Sequence, residues 1–492
     1  MKQRFVIGID SSTQSTKAIV WDESGNPVRE GRAPISMKMP QPLHVEQSSE
    51  EWWTSFTGAI QEALRGLPPD SVEALAISNQ RETVAFLDAQ GRSLHDAIVW
   101  MDQRAMAEVQ ELVEQVGRKT LHHTTGKPVD IAPVLYRLRW MAKHRPEVIQ
   151  RTRHILDVQG YLVYRLTGAP ATSWTSADPF GTFDIRKKQW ASNLLDAAGI
   201  DTALFPPCLA PGEVLGRVTS KVAKEFGLRP GTPVVAAGGD GQCAGLGVNA
   251  IAGGRAYLNL GTAQITGASS SKARFSNYWR TLISPTGSGY FLESVQRAGA
   301  FFINWFVEQL GGAERTPEVF SRLEQEASQV ELGSEGILVS TYLAGCMDPH
   351  WNADAQGAFL GLRAHHTQAH LYRASLEALT LESARALKAM AQKGVELNKI
   401  NVIGGGAQSR LWMHMIADAT GLPAQRSLSN EASSLGAAIS AAVGAGWYSS
   451  FEEAANEMTN EAETFEPNPA VAEQWEALSD RQRRVYAITL KA

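Results

Sequence analysis

A mixed α/β protein of two domains, with a ligand cleft between them, is predicted by three observations in the sequence. Apolar strand-like runs alternate with helical runs in both halves of the chain. At 492 residues the chain is too long for one hydrophobic core and suits two domains of roughly 200–250 residues each. Three strands run into turns of small residues: Phe5–Ile9 into Asp10-Ser11-Ser12-Thr13, Arg255–Leu260 into Gly261-Thr262-Ala263-Gln264, and Ile400–Ile403 into Gly404-Gly405-Gly406-Ala407-Gln408-Ser409. The first two of these turns read as echoes of each other, which suggests a duplicated fold, and the cleft between such halves is the default ligand site.

Taken in order, the opening strand and turn lead into a second strand through Lys17-Ala18-Ile19-Val20. Ser49-Glu50-Glu51 reads as the start of a helix carrying Trp52, Trp53, Phe56, Ile60 and Leu64. Val72–Ser78 is a strand ending in Asn79-Gln80-Arg81-Glu82, and Glu82–Asp88 is another that closes through the turn Asp88-Ala89-Gln90-Gly91. Helices follow near 101–117, 133–144 and 155–166, and the strand Pro233–Ala237 ends in a glycine-rich loop, Gly238-Gly239-Asp240-Gly241-Gln242. The second half continues with helices near 296–309, 367–391 and 408–419. The apolar window near 435–448 is rich in Ala and Gly and interrupted by Ser, which predicts a buried helix and not a membrane span. Phe301, Phe302, Trp305 and Phe306 read as core more than as interface.

Composition removes several classes of function. A formal net charge of -5 gives no reason to expect nucleic acid as a partner. Cys208, Cys243 and Cys346 lie far apart and form no CxxC, so a cytoplasmic, reduced protein without structural zinc is expected, and the N-terminus offers no signal peptide. His365 and His366 adjoin a helix start without an evident ligand partner, and zinc is not predicted there. Oligomeric state is not legible; a homodimer stands as one possible assembly.

The opening turn carries a carboxylate, hydroxyl side chains and Lys17 beside free backbone N–H groups, the set that a phosphate or metal-bound phosphate requires. The alternative is a hairpin whose Ser and Thr residues satisfy their own turn. None of the three turns carries the Lys-Ser or Lys-Thr of a Walker loop, which disfavours a P-loop NTPase. Asp10 and Asp240 each follow an apolar strand beside small residues, delivering a carboxylate to a pocket without burying it unpaired. Phosphoryl transfer needs two such groups, one for hydrated Mg²⁺ and one for the attacking hydroxyl.

These motifs, in this order, resemble the FGGY family of carbohydrate kinases. Asp10–Val20 matches its opening phosphate motif, Asn79–Glu82 its early substrate motif, Gly238–Gln242 its catalytic-acid motif, Gly261–Thr262 its second phosphate motif and Gly404–Ser409 its adenosine motif; Leu343–Gly361 is similar to its second-domain segment. The resemblance implies two ribonuclease-H-like (actin-like ATPase) domains with an interdomain cleft, 1–246 for the sugar and the base and 247–492 for ATP. It implies Asp240 as general base, Asp10 and Asp240 as holders of Mg²⁺, Thr13, Lys17, Gly261 and Thr262 at the phosphates, and Gly405 and Gly406 at the adenosine of ATP. Ser12-Thr13 departs from the Gly-Thr of many relatives, and Gly345-Cys346-Met347-Asp348-Pro349 lacks the Glu-Arg pair of xylulose kinases; Cys346 reads as a small buried residue and not a nucleophile.

For the acceptor, the motifs point two ways. Gln80-Arg81-Glu82 resembles glycerol kinases, with charged donors and acceptors suited to adjacent hydroxyls, while the tyrosine of a glycerol site falls on Ala132. Trp100-Met101-Asp102-Gln103-Arg104 resembles pentulose kinases, where a Trp face covers C–H surface and a carboxylate accepts hydroxyl hydrogen bonds; the alternative is a core Trp and a helix-capping Asp. Gly241 leaves room beside the base, and Gln242 could supply a sugar contact. ATP-dependent phosphorylation of a ketopentose, xylulose ahead of ribulose, is the expectation; glycerol or a tetritol is the runner-up, and a non-catalytic nucleotide-binding regulator is the alternative of another class.

Overall fold

The computed structural model describes residues 4–251, 253–428 and 431–490. Its frame is a pair of large sheets. The first contains β1 (Phe5–Ser11), β2 (Ser15–Trp21), β3 (Pro27–Pro34), β4 (Val72–Asn79), β5 (Val214–Arg217) and β6 (Pro233–Gly239), in the order β5-β6-β4-β1-β2-β3. The second contains β7 (Arg255–Leu260), β8 (Gln264–Ser270), β9 (Arg280–Ile283), β10 (Tyr290–Gln296), β11 (Lys399–Ile403), β12 (Ala424–Ser427) and β13 (Glu461–Phe465), in the order β9-β10-β8-β7-β11-β12-β13.

Strand sense repeats between them. β1 is antiparallel to β2 and parallel to β4, which is parallel to β6. Likewise β7 is antiparallel to β8 and parallel to β11, which is parallel to β12. The echo expected from the two opening turns is thus a repeat of topology: β3-β2-β1-β4-β6 and β10-β8-β7-β11-β12 follow one plan. In each copy the central strands are apolar on both faces, as strands covered by helices on both sides must be.

Helix α1 (Ser49–Ala63) lays Trp52, Phe56 and Ile60 against β2 and β3. α2 (Asp240–Gly247) leaves β6 without a loop, so the segment expected to be a glycine-rich loop is instead a strand end joined directly to a helix start. α3 (Gln368–Gln392) and α4 (Arg410–Thr420) cover the second sheet and close a core around Phe302, Phe306 and Trp412, while Phe301 remains exposed.

α5 (Ala432–Gly444) is almost entirely buried, and no helix among the described residues is long and apolar enough to cross a membrane. It packs on β1, β4 and β6 and along α2, returning the chain to the first sheet before β13 rejoins the second. The expected division at 246/247 therefore separates the strands of the two sheets but not their covering helices. Two boundaries also move for local reasons. Residues 154–157 form a strand paired with Val84–Leu87, so the helix expected from 155 begins at Val158, capped by Asp157. The helix expected from 101 begins at Met106, after a turn organised by Asp102.

Candidate active site

The opening turn joins β1 to β2. Ser12 closes it, donating from both its backbone N–H and its hydroxyl to the carbonyl of Ser15, which is how serine replaces glycine there without loss of the turn. Thr13 is held by its surroundings: its carbonyl accepts from Gln47 Nε2 (2.6 Å) and its hydroxyl from Trp100 Nε1 (3.0 Å). Gln80 is buried behind it and donates to Gln47 Oε1 (2.9 Å), so it supports the turn through Gln47. Lys17 forms an ion pair with Glu431 at the start of α5.

Asp10 accepts from the Ser78 hydroxyl (2.9 Å). Burial raises its carboxyl to about 7 from an ordinary 3.8, and the charge of Asp240 adds to the rise. The Asp10 carboxyl, with the charge of Asp240 felt across the site, supplies the hard-oxygen chemistry that suits Mg²⁺.

On the second sheet, the turn Gly261-Thr262-Ala263 sits against the start of the helix Ala300–Trp305: the N–H of Ala300 donates to Gly261 O (2.8 Å) and that of Gly299 to Thr262 O (2.9 Å). Gly404 holds φ at +89°, a left-handed conformation that glycine adopts without strain. Gly406 packs on Trp412 and Leu260, whereas a Cβ at Gly405 would meet nothing. Gly405 thus presents open backbone, the face an adenosine could approach.

Asp240 is the first residue of α2, with its side chain 40% exposed, and its Oδ1 forms an ion pair with Arg81 Nε at 2.9 Å. Arg81 is buried and also donates through Nη1 to both oxygens of Glu293 (2.9 Å each). Glu82 is buried and pairs with Arg280 (2.7 Å). Its φ of +49° is held in part by Arg137, a fully buried side chain donating to the carbonyls of Glu82, Val99 and Ala132. Burial pushes Glu293 up, yet Arg81 and Arg280 more than offset this and hold its carboxyl below the usual range. Gln242 is buried, with Nε2 directed at Thr175 O (3.1 Å) and Asp178 (3.5 Å) and no hydrogen-bond partner for Oε1 among the described residues. Asp178 pairs with the buried Lys127 (2.7 Å).

Several expected roles change in this setting. Asp102 is fully buried and its oxygens are taken by the N–H of Val45 (2.7 Å) and by the backbone and guanidinium of Arg104, so it braces the turn and offers nothing to a sugar. Trp100, 37% exposed and tied to Thr13, remains available as a flat apolar surface. The room expected beside Gly241 is occupied: a Cβ there would lie 2.3 Å from Glu293 Oε2. Arg81 and Glu82, expected to grip hydroxyls, are engaged by second-sheet partners. Cys346 is buried, and burial lifts its thiol to about 12, too high for a thiolate nucleophile.

His365 and His366 do meet a carboxylate, Glu335. His366 Nδ1, however, accepts from the N–H of Arg363, and Nδ1 of the nearby His370 accepts from that of Thr367. In the neutral rings this leaves the proton on Nε2 of His366 and of His370.

The residues that the sequence reading missed are Arg280 and Glu293, directly paired across β9 and β10, together with Gln47, Arg137, Lys127 and Asp178. Only the small Gly241 beside an acid hinted that another side chain comes close.

Comparison with known proteins agrees with this geometry. The model for the N-terminal domain of the FGGY family of carbohydrate kinases matches residues 5–247, and that for its C-terminal domain matches 256–445. The chain is 28% identical to a xylulose kinase of Staphylococcus epidermidis over 95% of this chain and 93% of that protein. It is 29% identical to a glycerol kinase of Deinococcus radiodurans over 95% and 94%. The solved structure of a xylulose kinase from Rhodospirillum rubrum superposes with a TM-score of 0.92 at 27% identity, covering 99% of each chain. The shared architecture is the duplicated actin-like ATPase fold.

Proposed function

The chain belongs to the FGGY family of carbohydrate kinases, and on that premise we propose that it transfers the γ-phosphoryl group of ATP to a terminal hydroxyl of xylulose, giving the 5-phosphate and ADP. The observation that carries the reading is Asp240: beside the buried Arg81, Glu82 and Glu293, it keeps an open face at the first turn of a helix. Asp240 accepts the proton of the sugar hydroxyl as that oxygen attacks the γ-phosphorus in line and ADP leaves. Thr13, Lys17 and the backbone around Gly261 and Thr262 share the negative charge of the transferring group, with Lys17 exchanging Glu431 for phosphate. Gly405 and Gly406 border the adenosine. Mg²⁺, held through Asp10 and Asp240, supplies charge neutralisation at the phosphates when bound.

The substrate follows from similarity and from charge. The similarity to the staphylococcal xylulose kinase spans nearly the whole chain, and Trp100 provides the apolar face a pentulose would use. Arg81, Arg280 and Lys127 are each already paired with a carboxylate, which favours a neutral acceptor over an aldonate. Glycerol or a tetritol is the second reading, favoured by Gln80-Arg81-Glu82 and by the similarity to the glycerol kinase. We assign the reaction to the cytoplasm, where Cys208, Cys243 and Cys346 would stay free, as they are here. The test compares kcat/KM for D-xylulose, D-ribulose, L-ribulose, L-xylulose, erythritol and glycerol as acceptor-dependent ADP release with Mg-ATP. Preference for D-xylulose by about tenfold or more supports the reading, and preference for glycerol or erythritol replaces it.

A pH dependence follows from Asp10. With its carboxyl raised to about 7, the folded protein retains a proton below that pH that the unfolded chain loses near 3.8, so in metal-free protein this group's stabilisation declines as pH rises through that window. Mg²⁺ must displace that proton below pH 7. The cation should therefore raise the melting temperature more at pH 8 than at pH 6, and saturating Mg²⁺ should move the acid limb of kcat to lower pH. Equal shifts at both pH values would remove Asp10 from the metal site.

A further inference from the structure

We propose that Glu293 and Arg280, two residues of the second sheet, are positioning residues for the base, Arg280 holding Glu293 and Glu293 setting Asp240 through Arg81. This deepens the phosphoryl-transfer reading and rests on it. The geometry is a chain of buried charges. Arg280 and Glu293 are direct partners across β9 and β10, so strand pairing fixes their spacing. Arg280 reaches Glu82 at 2.7 Å and Glu293 at 2.5 Å, Glu293 receives Arg81 at 2.9 Å, and Arg81 Nε reaches Asp240 Oδ1 at 2.9 Å. Of the three carboxylates in this chain, Asp240 is the one left with an open face.

The backbone is shaped to admit this chain. A Cβ at Gly241 would strike Glu293 Oε2 at 2.3 Å, and one at Gly239 would strike Arg81 Cδ at 2.5 Å, so the residues flanking Asp240 are the ones that must lack side chains. Arg81 divides its guanidinium between two carboxylates from different sheets. Without Glu293, and with Glu82 held by Arg280, its freed Nη groups would turn to Asp240 and engage the oxygen that must accept the hydroxyl proton. The base is thus oriented by both domains at once, and its competence depends on how the second sheet sits against the first.

The test is a double-mutant cycle on Glu293→Gln and Arg81→Lys, reading kcat with the acceptor that wild type uses best and KM for Mg-ATP. Glu293→Gln alone should lower kcat at least about tenfold with the KM for Mg-ATP held within about twofold. In the Arg81→Lys background the same substitution should cost less than about twofold, because its effect runs through Arg81. Additive losses, or wild-type kcat in Glu293→Gln, would overturn the proposal. Should Glu293→Gln fail to fold, Glu293→Gln/Arg280→Gln serves instead: wild type sets Arg81 and Arg280 against Glu82, Glu293 and Asp240, the double variant sets Arg81 against Glu82 and Asp240, and the excess of one negative charge is preserved. If wild type phosphorylates no acceptor of the panel, the xylulose reading falls, and the same cycle is read from acceptor-independent ADP release, where water takes the place of the hydroxyl.

Discussion

Asp240→Asn is expected to lower kcat for sugar phosphorylation by about 10³-fold, since a positioned general base contributes about 10²–10⁴, while weakening Mg-ATP binding far less, because Asp10 and the amide oxygen remain for Mg²⁺. The side chain keeps its size and its place at the start of α2, and Arg81 keeps its pairing with Glu293, so the fold has no reason to change. What is lost is the acceptor for the hydroxyl proton. A coupled assay for ADP, run beside titration of the nucleotide, separates the two effects. Near-normal turnover in the folded variant would sink the assignment of Asp240 as base. Loss of nucleotide binding together with turnover would show instead that Asp240 acts chiefly in holding Mg-ATP. The same measurement addresses the non-catalytic alternative, because a regulator would show no acceptor-dependent turnover even in wild type.

What could be read from the sequence is what is encoded within a few residues. Asp10 at the end of β1, Gly261 after β7 and Gly404 after β11 were visible because an apolar run, a turn and small residues are contiguous, and the repeat of topology places the first two at equivalent strand ends. Asp240 was visible for the same reason, although its helix was not: Gly238 and Gly239 suggested a loop, but they belong to β6 and let other groups approach. Asp102 was misread since a carboxylate beside an aromatic looks available until Arg104, two residues on, is seen folded back onto it.

Glu293 was hidden for a different reason. The run Tyr-Phe-Leu-Glu-Ser-Val-Gln of β10 gives no sign that its acid is buried, because the burial comes from Arg81 and α2 of the other sheet. Contacts between distant segments decide that site, and neither periodicity nor spacing reports them.

The second large effect concerns one such distant contact. Gly436→Val is expected to destabilise the protein by about 3 kcal/mol or more, beyond the usual cost of overpacking a core, because the obstacle is backbone and cannot rotate away. A Cβ at Gly436 would lie 1.9 Å from the carbonyl oxygen of Cys243 in α2, and the neighbouring turn of α5 is equally close to β1: Ser434 donates to Gly8 O at 2.8 Å, and a Cβ at Gly8 would meet Ser434 O at 1.9 Å. α5 therefore cannot shift outward to relieve α2 without breaking its seat on the sheet. Asp240 stands three residues before Cys243, and Ser433 of α5 donates to its carbonyl at 3.2 Å, so displacement of α2 reaches the base directly. Denaturant unfolding should show a lower midpoint with an unchanged slope, and kcat at a temperature where the variant is still folded should fall along with it. A variant with wild-type stability would mean that α2 and α5 have slack between them, and the argument that their close approach fixes the position of Asp240 would fail.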